Sequence, residues 1–174
     1  MDDPKPNIVI SGAGPAGAVT AYLLARAGVR TTLVERHEDF SREFRGELLM
    51  PSLEPLHQIG LWEDFEKVGQ VEIDRFRAFI NKKPFLSPIM NASGAPRRSP
   101  RWVSQPQLLE MLVSKASAFP SFTFLRGTRV RNLLRKDDQV TGITTDTHGD
   151  IHASLVIGCD GRSSIVRALS LIHI

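Results

Sequence analysis

After a polar start, the chain runs into Ile8-Val9-Ile10-Ser11, a short apolar stretch that ends at glycines. Continuous apolar residues without alternation predict a strand buried on both faces, as in a parallel sheet. From Pro15 to Ala27 the apolar positions recur at helical spacing (Ala16, Val19, Ala21, Leu23, Leu24, Ala25). Pro15 suits the first turn of that helix and Gly28 its stop. Thr31–Glu35 reads as a second strand. Strand, glycine turn, helix and strand in quick succession form a βαβ unit, whose crossover is almost always right-handed.

The stretch from His37 to Arg45 is polar and charged. Leu53–Ile59 and Leu61–Val68 predict short helices separated at Gly60. Arg75–Ile80 alternates (Phe76, Ala78 and Ile80 against Arg75, Arg77 and Phe79) and predicts a strand. Asn81–Pro100 is rich in Pro, Gly, Ser and Asn, so loops are expected, with one more short strand at Phe85-Leu86. Gln105–Ala118 predicts a helix with Leu108, Leu109, Leu112, Val113 and Ala116 on its apolar face. Strands are expected at Phe122–Leu125, Val130–Arg135, Val140–Thr145 and Ile151–Ile157, with turns at Lys136–Gln139 and Thr147–Asp150. Leu155-Val156-Ile157-Gly158 is again continuous and apolar, which suggests a return to the buried parallel sheet. There is no internal repeat and no low-complexity segment.

Composition narrows the class without naming it. The 174 residues, 41% apolar and 24% charged, suit one ordinary soluble domain. The net charge of +3 is spread along the chain. No dense basic stripe with interleaved aromatics is present, so a nucleic-acid partner is not expected. The one cluster, Arg97, Arg98 and Arg101, reads as a solvated loop, the sharper alternative being contact with NAD(P)H phosphates. The single cysteine, Cys159, excludes an internal disulfide and fits a reducing compartment. No signal peptide and no membrane-length apolar run is seen, so a cytoplasmic location is expected. The five histidines, His37, His57, His148, His152 and His173, lack metal-ligand spacing, and no metal site is expected. Ser11 is not in a nucleophile elbow. Trp62 and Trp102 read as core or interface residues. No catalytic residue is assigned, and oligomeric state leaves no trace in the sequence.

Gly12-Ala13-Gly14-Pro15-Ala16-Gly17 matches the dinucleotide fingerprint G-x-G-x-x-G. The first glycine permits the tight turn, the second lets backbone approach a pyrophosphate, and the third lets helix and sheet pack closely. The pyrophosphate then meets free N–H groups at a helix N-terminus. Glu35, at the end of the second strand, can accept the hydroxyls of an adenosine ribose and would repel a 2′-phosphate. A structural turn beside a surface glutamate is the plain alternative. Arg36 follows, and Ala21, Leu24 and Gly28 recur along the helix as in the FAD version of the motif. The fingerprint alone fits FAD or NAD.

The second informative string is Cys159-Asp160-Gly161-Arg162-Ser163-Ser164-Ile165-Val166-Arg167. Asp160 falls just past the C-terminal end of an expected parallel strand, where open α/β sheets bind ligands. Gly161 permits a sharp turn, and Ser163 or Ser164 can cap the helix that follows. An ionised aspartate beside a pyrophosphate needs compensation, for which water or the nearby Arg167 are candidates. On spacing alone, Asp160 reads equally well as part of a strand-to-helix turn without chemistry.

Together these strings resemble the FAD-dependent aromatic hydroxylases, the para-hydroxybenzoate hydroxylase-like group A flavoprotein monooxygenases. Cys159-Asp160-Gly161 with Ser164 and Arg167 is similar to that family's Asp-Gly motif, which serves FAD and the pyridine nucleotide. Phe44-Arg45-Gly46-Glu47 with Pro51 resembles the segment whose arginine reaches the ribityl–pyrophosphate region, so Arg45 is the candidate; a solvated loop arginine is the alternative. Ser104-Gln105-Pro106 resembles the segment that offers FAD a polar side chain, here Gln105, which otherwise is only a helix-start residue. Val130 stands where the family's backbone meets the adenine edge, or is simply core. The resemblance spans residues 7–168. It implies an α/β fold: a Rossmann-like (GR2-type) FAD-binding domain with a parallel sheet, a β-hairpin or meander insertion and the start of a substrate-binding sheet over 71–100. It also implies hydroxylation of a small organic substrate, aromatic or polycyclic, using FAD, NAD(P)H and dioxygen.

The same resemblance implies that the family's second acidic motif and most of the substrate wall are missing from this chain, so 1–174 is expected to be a truncated, incomplete FAD-binding domain that is inactive alone. Leu169–Ile174 is the translation of CTG TCT CTT ATA CAC ATC, the mosaic-end adapter of transposase-built sequencing libraries, and 169–174 is expected to be an adapter artefact; a genuine apolar helix start is the alternative. Two other functions stay open. One is a geranylgeranyl-reductase-like or other FAD oxidoreductase of the same fold; the W-x-W-x-I-P string of flavin halogenases is absent. The other is a non-catalytic dinucleotide-binding module.

Overall fold

The computed structural model describes residues 6–41, 46–49, 53–73, 75, 77–86 and 99–170. Arg45, Arg97, Arg98 and residues 171–174 of the terminal hexapeptide lie outside them. The chain divides into two compact units, Met1–Phe40 with Leu112–Ile174, and Ser41–Met111.

The first unit is built on a parallel sheet. Strands β1 (Asn7–Ser11), β2 (Arg30–Val34), β8 (Phe122–Leu125) and β12 (Leu155–Gly158) lie in the order β12-β1-β2-β8. All three pairings are parallel, with Ile10 opposite Ile157 on one side and Leu33 on the other. Successive connections from β1 move the chain towards β8, whereas β12 lies on the opposite side of β1. The strand order therefore reverses between β1 and β12, and their C-terminal ends flank the crevice where such sheets bind ligands. Val9, Ile10 and Leu33 are fully buried. Each contributes about 1.5–3 kcal/mol relative to an exposed position.

Helix α1 (Pro15–Arg26) covers β1 and β2 through a face of small residues. Gly17, Ala18, Ala21, Tyr22 and Ala25 are buried, at i, i+4 and i+8 spacing. The expected face was partly wrong: Leu23 is 41% exposed, and Ala16 is exposed. The close helix–sheet approach selects small side chains, so residue size and not hydrophobicity marks the packed stripe. The helix ends at Ala27. Gly28, at φ +75°, sends its N–H to the Ala25 carbonyl, and Val29 sends its own to Leu24, the bonding of a Schellman stop.

A three-stranded antiparallel sheet, β11-β10-β9, completes this unit, formed by β9 (Val130–Lys136), β10 (Gln139–Thr145) and β11 (Asp150–His152). Val9, Val34, Val130, Leu133, Ile143 and Val166 form one buried cluster. Val166 comes from α5 (Ile165–Leu169). The expected single strand Ile151–Ile157 is two. It breaks at Ala153-Ser154, where Ala153 N–H bonds back to Thr141 and Ser154 N–H to Asn7, so the chain leaves one sheet and enters the other. Strand β12 is also less buried than expected: it is an edge strand, and Leu155 is 52% exposed.

The second unit holds the sheet β3-β7-β4, from β3 (Gly46–Leu49), β4 (Gln70–Glu72) and β7 (Arg101–Ser104), all antiparallel neighbours. None of these strands was expected, because each is short and carries polar residues. The short helices appear as α2 (Glu54–Gln58) and α3 (Trp62–Phe65). Strands β5 (Ala78–Ile80) and β6 (Lys83–Leu86) form a hairpin whose turn, Asn81-Lys82, has positive φ at both residues. Leu61, Phe65, Val103, Leu108 and Leu109 are buried here. Helix α4 (Gln105–Ala116), whose residues from Leu112 on belong to the first unit, buries all five apolar positions expected of it. No helix among the described residues is long and apolar enough to cross a membrane.

Candidate functional site: a dinucleotide crevice at the sheet edge

The fingerprint turn sits at the mouth of the β1/β12 crevice. Gly12, at φ +99°, donates its N–H to the Val34 carbonyl at 2.7 Å. Cys159 N–H bonds the Ser11 carbonyl at 2.7 Å, which ties the end of β12 to the end of β1. A Cβ on Gly12 would stand 2.5 Å from the Cys159 oxygen and 2.8 Å from Cα of Asp160. A Cβ on Gly17 would overlap the Gly12 carbonyl. Two of the three glycines are thus required by packing of the turn itself. Gly14 differs: its Cβ position has no atom within 4 Å, and its φ of −67° is open to any residue. Nothing in the protein demands glycine there. The open space lies over the N-terminus of α1, where helix geometry leaves the N–H groups of Ala16 and Gly17 without an acceptor inside the helix. Pro15 occupies the first turn, as expected, and no side chain caps this end.

Glu35 is 4% exposed. The Ala13 N–H donates to its Oε2 at 2.8 Å, and the His37 N–H to its Oε1 at 3.1 Å. The carboxylate is therefore fixed against the glycine turn. Next to it, Thr128 N–H bonds the Glu35 carbonyl at 2.9 Å and Gly127 N–H bonds that of His37 at 3.3 Å. These bonds bring the segment after β8 alongside the segment after β2. Val130 follows directly; its side chain is buried in the core cluster. Arg36 is exposed, and its Nε–H donates to Nε2 of His37 at 2.9 Å.

Asp160 lies beside Gly12, at the other wall of the crevice. Ser164 Oγ–H donates to its Oδ1 at 2.5 Å, and the N–H groups of Ile165 and Val166 reach Oδ2 at 2.8 and 3.3 Å. Ser164 is the N-cap of α5 and accepts from the Arg167 N–H at 3.0 Å. The start of α5, not Arg167, compensates the aspartate charge; the Arg167 guanidinium bonds the Arg162 carbonyl at 2.7 Å. Gly161 makes the turn at φ +85°. Burial raises the pKa of the Cys159 thiol, and the Asp160 charge adds to the effect.

Gln105 belongs to the second unit, where its amide N–H donates to a carboxylate oxygen of Glu47. The first unit therefore brings together Gly12 to Gly17, Glu35, Arg36, Val130, Asp160 and Gly161. The Arg126–Thr128 segment that braces Glu35 had no part in the expectations. Its signal was available, an arginine two residues after Phe124 on a strand. No group of three or more acidic, histidine or cysteine side chains that could hold a metal occurs among the described residues.

Residues 5–172 match the family described as FAD binding domain. The chain belongs to the FAD-binding domain family. FAD is its cofactor, and the residues at the crevice fit the group: open space at Gly14, N–H groups at the start of α1, and the buried Glu35 carboxylate held against the glycine turn. Among relatives, 6-methylpretetramide 4-monooxygenase of Streptomyces rimosus is 33% identical over 173 residues, covering 97% of this chain and 41% of that protein. A 3-(3-hydroxy-phenyl)propionate/3-hydroxycinnamic acid hydroxylase of Mycolicibacterium smegmatis is 29% identical over 168 residues, covering 94% of this chain and 30% of that protein. Among solved structures, P. aeruginosa PqsL in complex with 2-aminobenzoylacetate superposes with a TM-score of 0.84 at 21% identity, over 98% of this chain and 47% of PqsL, and shows the shared fold. The FAD-binding domain chain spans less than half the length of these relatives.

Proposed function

We propose that this chain holds the adenosine–diphosphate half of FAD in a monooxygenase that uses NAD(P)H and dioxygen to hydroxylate a small organic substrate of aromatic or polycyclic type. The observation that carries this is the pairing of the open Gly14 cradle with the buried Glu35 carboxylate across the turn from Asp160. In this reading, the Ala16 and Gly17 N–H groups at the start of α1 bind the diphosphate. Glu35 accepts the ribose hydroxyls, and Arg36 stands beside it at the surface. The backbone at Val130 meets the adenine edge. Asp160 and Gly161 form the crevice wall nearest the rest of the cofactor, and Gln105 and Arg45 are assigned to the same cofactor. Residues 71–100 begin the substrate side. FAD supplies the redox chemistry when bound, taking a hydride equivalent from the nicotinamide and activating dioxygen; the residues above bind, orient and hold it. The monooxygenase reaction is supported by the Streptomyces 4-monooxygenase and the Mycolicibacterium hydroxylase among the relatives.

The test uses the protein that carries this chain. It is loaded with FAD, reduced by NADH or NADPH without air, then exposed to isotopically heavy dioxygen with aromatic substrates. Bleaching of the flavin absorbance followed by one heavy oxygen in the product is expected. Bleaching and substrate reduction without oxygen insertion would favour the reductase reading. Binding of NAD without FAD would leave only a nucleotide-binding module.

A further inference from the structure

We infer that Arg126 is a positioning residue for adenosine recognition, an inference that rests on the assignment of Glu35 and the Val130 backbone to the adenosine end of the cofactor. Arg126 follows β8 and is half-buried. Its guanidinium carbon lies 4.9 Å from the centroid of Phe40 and 4.8 Å from that of Phe124. The two rings are nearly parallel, 12° apart in plane, with centroids at 6.3 Å. The same guanidinium donates to the Glu38 carbonyl at 3.3 Å. One side chain thus holds the segment after β2 at two places, the Glu38 backbone and the buried Phe40 ring, while it anchors itself on β8 through Phe124.

The segments joined this way carry the adenosine contacts. Glu35 lies at one end of the 35–40 segment, and its carbonyl takes the Thr128 N–H. Arg129 and Val130 follow Thr128 directly. Gly127 is confined as well: at φ +62°, a Cβ there would stand 3.1 Å from the Glu38 carboxylate. The backbone bonds alone are few and lie at a loop–loop contact, where local opening is easy. A cation lying over two aromatic rings adds a contact that a methylene chain cannot reproduce. Arg126 touches no reacting group. It raises the fraction of molecules in which Glu35 and the Val130 backbone stand ready, and apparent affinity scales with that fraction.

The experiment measures ADP and FAD binding by calorimetry on the folded protein that carries this chain, with melting followed separately. Arg126→Met keeps the stem and removes the cation. It is expected to weaken ADP and FAD on the order of ten-fold, the scale of one to two cation–π contacts, and to speed amide hydrogen exchange in residues 36–40. Arg126→Lys should recover part of the affinity. Phe40→Leu should give an intermediate loss that does not add to that of Arg126→Met, and it provides the same test if Arg126→Met fails to fold. Wild-type ADP affinity in a folded Arg126→Met or Phe40→Leu protein, whatever the melting temperature, would overturn the positioning role and leave the cofactor site standing. Failure of the unmodified chain to bind ADP or FAD would remove the site and, with it, this inference.

Discussion

Alanine at Gly14 and alanine at Gly17 should have opposite effects, although both change one fingerprint glycine. Gly14 has φ −67° and ψ 179°, an extended conformation that alanine adopts freely, and no atom lies within 4 Å of the new methyl. Gly14→Ala should therefore leave stability unchanged or raise it by about 0.4–1 kcal/mol through the less flexible unfolded chain. The methyl, however, enters the space over the α1 N-terminus. Crowding a close-packed contact by one carbon costs roughly 1–3 kcal/mol, so the dissociation constant for ADP or FAD should rise about ten- to hundred-fold. In Gly17→Ala the methyl collides with the Gly12 carbonyl and sits 3.2 Å from Cβ of Cys159. Neither the carbonyl nor the Cβ can rotate away, so the turn must open. The similar packing penalty, reduced by alanine's helix preference of about 1 kcal/mol, should lower the melting temperature by several degrees, at about 2–4 °C per kcal/mol for a chain of this size. Circular dichroism melts and calorimetric titration with ADP separate the two effects. A folded Gly14→Ala protein with wild-type ADP affinity would refute the placement of the diphosphate. A Gly14→Ala protein less stable than Gly17→Ala would refute the packing analysis.

Two further outcomes are expected. Glu35→Gln offers one acceptor oxygen to two backbone donors and turns an amide N–H towards the other, leaving a buried donor unmatched; a loss of about 1–3 kcal/mol in urea unfolding is expected, together with weaker ADP binding, and an unchanged denaturation midpoint would contradict the hydrogen-bond assignment. Asp146 accepts the Arg129 N–H at 2.8 Å, which holds its carboxyl below the usual 3.8, with the Arg131 charge adding to the effect. Because the folded form has the lower pKa, the stabilising effect is present above 3.8 and is lost as pH falls through the folded value. Melting temperatures from neutral to acid pH should show a drop there that Asp146→Asn shrinks.

The parts of the fold that could be read from sequence are those where one side-chain property decides the element. Continuous apolar runs placed β1 and β12, the strand–glycine turn–helix–strand pattern placed β2, and helical periodicity placed α4 with its whole buried face. The turns at Gly12 and Gly161 could be read because both sit at positive φ, which favours glycine. The strands β3, β4 and β7 could not. Their pairing depends on partners distant in sequence: Trp102 faces Leu48 on one side and Val71 on the other. Tripeptides such as Gln70-Val71-Glu72 carry no period long enough to detect. The break at Ala153-Ser154 was hidden for a related reason, since the apolar pattern continues while the chain changes sheets. The brace around Glu35 escaped because its parts, Phe40, Phe124 and Arg126, become neighbours only once β8 lies beside β2.

The two helix starts at the crevice divide the electrostatic work. Each helix N-terminus carries unpaired N–H groups and a partial positive charge that attracts an anion. At α5 those groups are taken internally: Asp160 receives the N–H groups of Ile165 and Val166, and Ser164 receives that of Arg167. At α1 the protein supplies no such anion: the N-cap is glycine, no side chain caps it, and no acidic residue lies in the first turn. Glu35 approaches but bonds to Ala13, one residue before the cap. A diphosphate arriving at α1 therefore meets a helix end left unneutralised by the chain. The Asp160 charge on the facing wall is already spread into the donors of α5, so it can border the crevice without expelling an anionic ligand. Removing Ser164 or shifting α5 would release that charge, and the crevice would then repel the diphosphate proposed to sit at α1.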